Sequence, residues 1–320
     1  MNVVLTALVT SLAILVGVLT VTAWGIWFER KFSARLQSRL GPTMVGPVGL
    51  AQPLADLMKL LQKEDLVPEA ADRAVFNLAP QIAALCALGA AAVVPFSAHI
   101  IGAQIDLGVL YLLAIGAVTV MPVFMAGWAS NNKFALLGGM RALAQSLSYE
   151  VPLVLSAMVP VILAGSMDVS KIVEYQAAGS WIAIGPVWLG LPAFVLFLLA
   201  MLAESNRIPF DIPEAESELV AGITTEYSGM KFALFYLGEY VHTLVASAVA
   251  SALFLGGWDG PFAPGLHWMV LKSLALFTFV YWVRWSLLRF RSDQLMKMCW
   301  YWLVPISVAL LLGAGAWVVL

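Results

Sequence analysis

The stretch that decides the fold is residues 203–240, AESNRIPFDIPEAESELVAGITTEYSGMKFALFYLGEY. It carries two bases, Arg207 and Lys231, against seven acids: Glu204, Asp211, Glu214, Glu216, Glu218, Glu226 and Glu239. Long apolar runs flank the stretch on both sides, so the chain is expected to leave a membrane here and to enter it again. Seven acids against two bases at the edge of a bilayer is too lopsided for a solvated linker, which indicates a function for these acids.

The composition excludes a soluble globular domain. Hydrophobic residues make up 62% and charged residues 11% of the chain, with a mean hydropathy of +0.91, whereas a soluble domain is typically about 25% charged. The net charge of -2 gives no basic face for nucleic acid. Cys86 and Cys299 lie far apart in apolar runs without metal-site spacing, so we expect no iron–sulfur centre, zinc or disulfide on this chain.

Eight segments are apolar over the roughly 20 residues that a helix needs to cross a bilayer. All eight are predicted to be helices, because backbone polar groups in lipid must be satisfied within the segment. The uncharged residues 1–28 exceed a signal-peptide core and are expected to stay as the first span. No linker divides the chain, so residues 1–320 are predicted to form one integral membrane domain. The segments are about 3–28, 76–97, 107–129, 142–165, 184–205, 232–256, 267–288 and 298–319.

Basic residues predict the orientation. The connections after spans 1, 3, 5 and 7, with their edges, hold 15 of the 17 Lys and Arg residues, and the other side holds only Lys171 and Lys272. Cytoplasmic loops are enriched in Lys and Arg, so these four connections are predicted to be cytoplasmic and both termini external, or periplasmic, in a bacterial-type inner membrane. The acidic stretch is then cytoplasmic.

The first connection, residues 29–73, contains a second helical pattern. Leu50, Leu54, Leu57 and Leu61 recur at helical spacing, while charged side chains fall on another face. The pattern predicts a cytoplasmic amphipathic helix that lies in the membrane interface. A helix that packs on a partner protein is the alternative.

Three carboxylates fall inside or at the ends of predicted spans: Glu150, Glu204 and Glu239. An ionised acid at the middle of a membrane costs roughly 2.5–3.5 kcal/mol on insertion scales, so such acids usually face a bundle interior or a wet cavity. A proton relay follows as a hypothesis. The alternative is that the acids form structural ion pairs with basic residues, for which Arg141, Arg207 and Lys231 are the candidates.

A histidine lies beside one of these acids in the helical pattern. His242 follows Glu239 by three residues, so the two share a helix face. The histidine either tunes that acid or is a hydrogen-bonded packing residue. No phosphate-binding loop, metalloprotease motif or nucleophile elbow occurs in a supporting context, so we expect no catalytic centre and no metal site on this chain.

Five segments together resemble a known family. They are the 203–240 stretch, ERKFSARLQSRLGP, DLMKLLQKEDLVP, GWASNNKFALLGGMRALAQSLSYEV and LFLGGW. Over roughly residues 29–300 they are similar to the family of the membrane H subunit of respiratory complex I, also called NADH dehydrogenase subunit 1; complex I is the proton-translocating NADH:quinone oxidoreductase. The resemblance implies a position at the junction of the membrane and peripheral arms. It implies a quinone-access chamber with quinone as substrate, FMN and iron–sulfur clusters in partner subunits, and no cofactor on this chain.

The resemblance also implies roles for single residues. Partners would be the iron–sulfur subunits of the peripheral arm and neighbouring subunits of the membrane arm. By motif, the proton path would contain Glu150, Glu204 and Glu239 together with the loop acids Glu214, Glu216, Glu218 and Glu226. The quinone chamber would contain Arg30, Arg39, Asp56, Phe210 and Asp211.

Two other functions remain open at this point. One is the membrane anchor of an energy-converting hydrogenase, although the dense acids of PFDIPEAESEL resemble the quinone-linked family more closely. The other is a stand-alone ion-coupled transporter, for which helix-interrupting prolines at 122, 152, 160 and 192 are suggestive. No half-to-half correspondence of the kind seen in inverted-repeat transporters accompanies them.

Overall fold

The computed structural model describes the backbone of residues 3–214 and 216–319 and the side chains of residues 9–214 and 218–319. Within these residues the chain is helical, without strands and with one isolated bridge between Ser97 and Ile100. The helices are α1 (Val3–Leu36), α2 (Gln52–Gln62), α3 (Arg73–Val93), α4 (Gly108–Val118), α5 (Val120–Ala129), α6 (Lys133–Ala164), α7 (Val169–Ala178), α8 (Val187–Glu204), α9 (Glu216–Leu219), α10 (Gly229–Phe254), α11 (Leu266–Ser286), α12 (Ser292–Met298) and α13 (Val304–Val319). A π-helical turn, Cys299–Leu303, joins α12 to α13.

Eight helical segments in the described part of the chain are long and apolar enough to cross a membrane. They are α1, α3, the α4–α5 pair, α6, α8, α10, α11 and the α12–α13 pair. The prediction of an all-α chain with eight helices able to cross a membrane is therefore confirmed for the described residues. The fourth span begins at Lys133, earlier than the predicted residue 142, because the Asn132 side chain accepts a hydrogen bond from the Phe134 N–H and caps the helix there.

Helix α10 lies at the centre of the bundle. It packs against α3, α11, α1 and α8, and except for His242 every residue from Tyr240 to Phe254 is buried. Its second half is rich in Ala and Ser, and small residues let neighbouring helix backbones approach closely in a membrane. The central position of α10 places Glu239 and His242 inside the protein rather than against lipid.

The helix predicted in the first connection is present as α2. Arg30 of α1 donates a hydrogen bond of 2.6 Å to Asp56 and holds α2 against α1. Leu54, Leu57 and Leu61 are about half exposed or more, at 65%, 46% and 53%. This apolar face is thus left uncovered by the rest of the chain, and its location at a membrane surface stays a prediction.

Candidate functional site: a buried carboxylate network

The acidic stretch between α8 and α10 is folded into the bundle. Gln145 of α6 donates hydrogen bonds to the carbonyls of Ala203 and Phe210, at 2.8 and 2.9 Å, and so fixes the beginning of the loop. Tyr227 stacks on Phe76 of α3, with ring centres 4.1 Å apart, and donates to the Phe76 carbonyl. These contacts hold the loop acids at fixed places.

Arg207 is the buried cation at the centre of the site, only 3% exposed. Its Nη2 lies 3.3 Å from Oε2 of Glu239, and its guanidinium carbon lies 4.5 Å from the centre of the Tyr240 ring. Tyr240 donates a hydrogen bond to Glu29 of α1. The other oxygen of Glu29 accepts from Arg284 of α11 at 2.5 Å. Two acids and two arginines from four segments therefore form one continuous series of contacts.

Glu214 extends this series along the loop. Its carboxyl is within hydrogen-bonding reach of that of Glu239, and two carboxyl groups can share a hydrogen bond only if one of them carries a proton. Burial, and then the neighbouring charges of Glu239 and Asp211, raise the pKa of Glu214 well above its ordinary value. The raised pKa favours the protonated form of Glu214, which can supply a proton for exchange.

A cavity of about 60 Å³ adjoins these acids. Glu204, Glu214, Glu239 and His242 line it, together with small and apolar side chains from α3, α5 and α10. Since one buried water needs roughly 15 Å³ of such volume, there is room for a short water chain. The structure thus brings together the predicted acids Glu204, Glu214 and Glu239 around one cavity.

Glu204 and His242 meet at the edge of this cavity. Oε1 of Glu204 lies 3.4 Å from Nε2 of His242, and both side chains are largely buried, with exposures of 10% and 15%. The sequence placed His242 beside Glu239. The histidine does share the cavity with Glu239, but its carboxylate partner is Glu204 because α8 packs against that face of α10.

The remaining predicted acids have different surroundings. Glu150 of α6 is partly exposed and close enough to Glu204 for their charges to interact. Glu226 accepts a hydrogen bond of 2.6 Å from Asn132. Glu218 forms an exposed ion pair with Arg141 at 2.6 Å, which lowers its pKa. The side chain of Glu216 lies outside the described residues.

The residues predicted for a quinone chamber fall into two groups. Arg30 and Asp56 form the ion pair between α1 and α2, and Arg39 is exposed after the end of α1. Phe210 is buried and stacks on Phe290, with ring centres 5.7 Å apart, next to Asp211, which is 3.1 Å from Arg289. Burial raises the pKa of Asp211, and the Arg289 charge opposes that shift.

The ion-pair alternative holds for one of the three span acids. Glu239 pairs with Arg207, whereas Lys231 pairs with Asp65 at 3.0 Å and Arg141 with Glu218. Sequence reasoning missed Glu29, Arg284 and Tyr240. The signal for Glu29 and Arg284 was a charge at the end of an apolar span, which the positive-inside pattern had already explained for Arg284. Tyr240 lies inside α10, and a tyrosine there carries no such signal.

Within the described part of the chain, no group of three or more His, Cys, Asp and Glu side chains could hold a metal ion. The chemistry that the site offers is instead proton exchange among carboxyl groups, one imidazole and tyrosine hydroxyls. Two arginines supply fixed positive charge beside them.

Comparison with known proteins identifies the family. A family model described as NADH dehydrogenase matches residues 9–315. The NADH-quinone oxidoreductase H subunit of Dehalococcoides mccartyi strain CBDB1 is 48% identical over 284 residues, which cover 89% of this chain and 79% of that protein. The H 2 subunit of Geobacter sulfurreducens is 48% identical over 312 residues, covering 95% and 93%. The H subunit of Syntrophotalea carbinolica is 46% identical over 323 residues, covering 98% and 96%. The chain therefore belongs to the family of NADH-quinone oxidoreductase H subunits, as its sequence motifs predicted.

Proposed function

We propose that this chain is the membrane subunit of a proton-translocating NADH:quinone oxidoreductase, and that its buried carboxylates couple quinone reduction to proton movement. The observation that carries the proposal is the unbroken series of contacts from Glu29 through Tyr240 and Arg207 to Glu239 and Glu214. The relatives are named for NADH-quinone oxidoreduction, which favours this function over a hydrogenase anchor or a separate transporter.

In this proposal, neighbouring residues of α1 belong to different parts of the site. Glu29 and Arg30 are neighbours on α1, and successive residues of a helix point about 100° apart. Glu29 contacts the buried series, whereas Arg30 contacts Asp56 on the side of α2. We assign Arg30, Arg39, Asp56, Phe210 and Asp211 to the quinone chamber, with quinone as the substrate. Partner subunits would supply FMN and the iron–sulfur clusters, and this chain would bind no cofactor of its own.

Quinone reduction would act on the series through charge. Reduction of a quinone to a quinol consumes two protons, so it withdraws protons from acids near the chamber. Closely spaced buried acids titrate as coupled groups, because Coulomb interactions are stronger in a medium of low dielectric constant. A proton lost at one end therefore changes the proton occupancy of the Glu214–Glu239 pair. The cavity beside that pair gives access to Glu204, whose charge interacts with that of Glu150.

The remaining loop acids belong to the surface of this path. Glu218 and Glu226 are engaged with Arg141 and Asn132, so we assign them, with Glu216, to the acidic face that supplies protons to the cavity and contacts neighbouring subunits. We further propose that this loop and α2 are cytoplasmic, that the apolar face of α2 lies in the membrane interface, and that both termini are external in a bacterial-type inner membrane.

Substitution of the span acids in the assembled complex tests the proposal. Glu239→Gln and Glu150→Gln are expected to lower quinone-dependent proton translocation into inverted vesicles by about a hundredfold, the low end of what a proton-transferring group contributes. Translocation is normalised to NADH:ferricyanide reduction, which reports the amount of assembled complex. Glu174→Gln, which changes an exposed acid of α7, is the matched control. Normal translocation in both span variants would contradict the proposed carboxylate path.

A further inference from the structure

Glu204, which belongs to the proposed path, also borders a second cavity of about 50 Å³ that lies deeper among α4, α6, α8 and α10. Its walls are apolar side chains such as Leu112, Leu153 and Val249, apart from Glu204 and His242. Among the described lining residues, these two are the members common to both cavities. A proton that moves from the first cavity to the second therefore has to pass this pair.

The chemistry of His242 suits such a passage. Its Nε2 faces Glu204 at 3.4 Å, and its Nδ1 is buried and has no hydrogen-bond partner among the described residues. A buried ring nitrogen without a partner is costly, and it is usually explained by an ordered water or a functional role. A water in either cavity would satisfy it. The imidazole then has one nitrogen on the carboxyl group and a second nitrogen for water.

We propose that His242 and Glu204 form a proton-exchange pair that joins the two cavities. This inference rests on the proposed function. The carboxyl proton of Glu204 passes to Nε2 of a neutral His242, which leaves a carboxylate and an imidazolium. The imidazolium then releases the proton on Nδ1 to water in the deeper cavity and becomes the other neutral tautomer. Glu204 takes its next proton from the first cavity. Transfer of the remaining imidazole proton from Nε2 to Nδ1 through water restores the first tautomer, so one proton moves from the first cavity to the second in each cycle.

The charged groups around the pair fit this exchange. Arg207 and Glu239 face His242 from the loop and from the preceding turn of α10, and Glu150 and Tyr149 of α6 face Glu204. The residues that α3 and α4 contribute to the two cavities are not titratable. Glu204 is thus the titratable partner in direct contact with His242.

A glycine of α4 keeps the pair in place. A Cβ at Gly116 would collide with Oε1 of Glu204, the oxygen that faces His242. Gly116 lies one turn before the break at Thr119 that divides α4 from α5, and it lines the deeper cavity. The glycine therefore leaves the space that the carboxyl group occupies, and Gly116→Ala disturbs the pair without changing either titratable residue.

The experiment compares His242→Gln, Glu204→Gln, the double variant and Gly116→Ala in the assembled complex in inverted vesicles. Glutamine keeps hydrogen-bonding capacity but carries no exchangeable charge. We expect His242→Gln to lower translocation, normalised to ferricyanide reduction, by roughly a hundredfold. We also expect a larger deuterium solvent isotope effect than in the unmodified complex, because proton transfer becomes limiting. The double variant should lose no more than the stronger single variant, since residues of one relay act as a unit.

The other outcomes are equally decisive. Loss of translocation in Glu204→Gln with normal translocation in His242→Gln overturns the exchange pair and leaves the proposed path intact. Normal translocation in both single variants overturns the proposed function as well. If His242→Gln does not assemble, Gly116→Ala decides: a similar loss with a raised isotope effect supports the pair, and normal translocation overturns it. His267→Gln, at the start of α11, is the matched control and should behave like the unmodified complex.

Discussion

Two buried cations at different places in the bundle illustrate what makes a charge functional. Arg207 contacts Glu239 and the ring of Tyr240, partners that belong to a titratable network. Lys272 of α11 instead donates to the backbone carbonyls of residues 255, 257 and 259, and it lies 4.2 Å from the centre of the Trp181 ring. Carbonyl dipoles and an indole do not gain or lose protons, and the carboxylate of Asp259 acts on Lys272 only through its charge. The buried charge of Lys272 therefore stabilises the fold, whereas the titratable neighbours of Arg207 indicate that it takes part in proton chemistry.

Of the substitutions that test this comparison, Arg207→Gln should have the largest effect on proton translocation. It leaves Glu239 without its cation, and the loss of one partner from a buried pair costs about 3–5 kcal/mol. We expect coupled proton translocation to be lost, and heat inactivation of the complex to occur at lower temperature. Arg73→Gln, an exposed arginine at the start of α3, is the control. If Arg207→Gln keeps its proton translocation coupled to quinone reduction, Arg207 has only a structural role, like Lys272.

Lys272→Met should weaken the protein without uncoupling it. The substitution leaves up to three carbonyls without their donor, and each unsatisfied buried group costs about 1–3 kcal/mol. We expect earlier thermal inactivation, with an unchanged ratio of protons moved to electrons transferred. Lys171→Met, whose lysine is 55% exposed, should change neither quantity. A changed ratio in Lys272→Met would erase the distinction between the two cations.

Glu214→Gln should alter how stability depends on pH. The pKa of Glu214 is raised in the folded protein, so its contribution is fully present below the ordinary value of 4.5 and is lost as pH rises toward the folded value. The slope is at most about 1.4 kcal/mol per pH unit. Gln cannot ionise, so the variant should gain thermal stability relative to the unmodified complex as pH increases. If the thermal stabilities of the variant and the unmodified complex change with pH in parallel, Glu214 is not a buried acid that holds a proton.

Glu218→Gln should have the smallest effect. Its side chain is 55% exposed, and its pairing with Arg141 takes place at the protein surface, where water and salt screen the interaction. We expect translocation close to that of the unmodified complex, and any small difference should disappear as ionic strength rises. A salt-independent loss would place Glu218 inside the path.

The eight spans were predictable because a membrane imposes a length and a helical backbone on every crossing segment. The boundaries were less predictable: α6 starts at Lys133 because of a capping side chain, not because of apolarity. Glu204 and Glu239 were identified as charges within apolar runs. Glu29 was missed because its partners Tyr240 and Arg284 lie 211 and 255 positions away, and no periodic pattern states which helices meet. The partner of His242 depended on helix packing in the same way.

The pairing of Glu29 with Arg284 also bears on how the protein is made. The arginine is synthesised 255 positions after the glutamate, which at about 5–20 residues per second is a delay of roughly 10–50 s. During that interval the first helix carries an acid whose partners do not yet exist. The nascent chain therefore has to keep this acid hydrated at the membrane surface, or in contact with the insertion machinery or another protein of the complex, until Arg284 has been inserted.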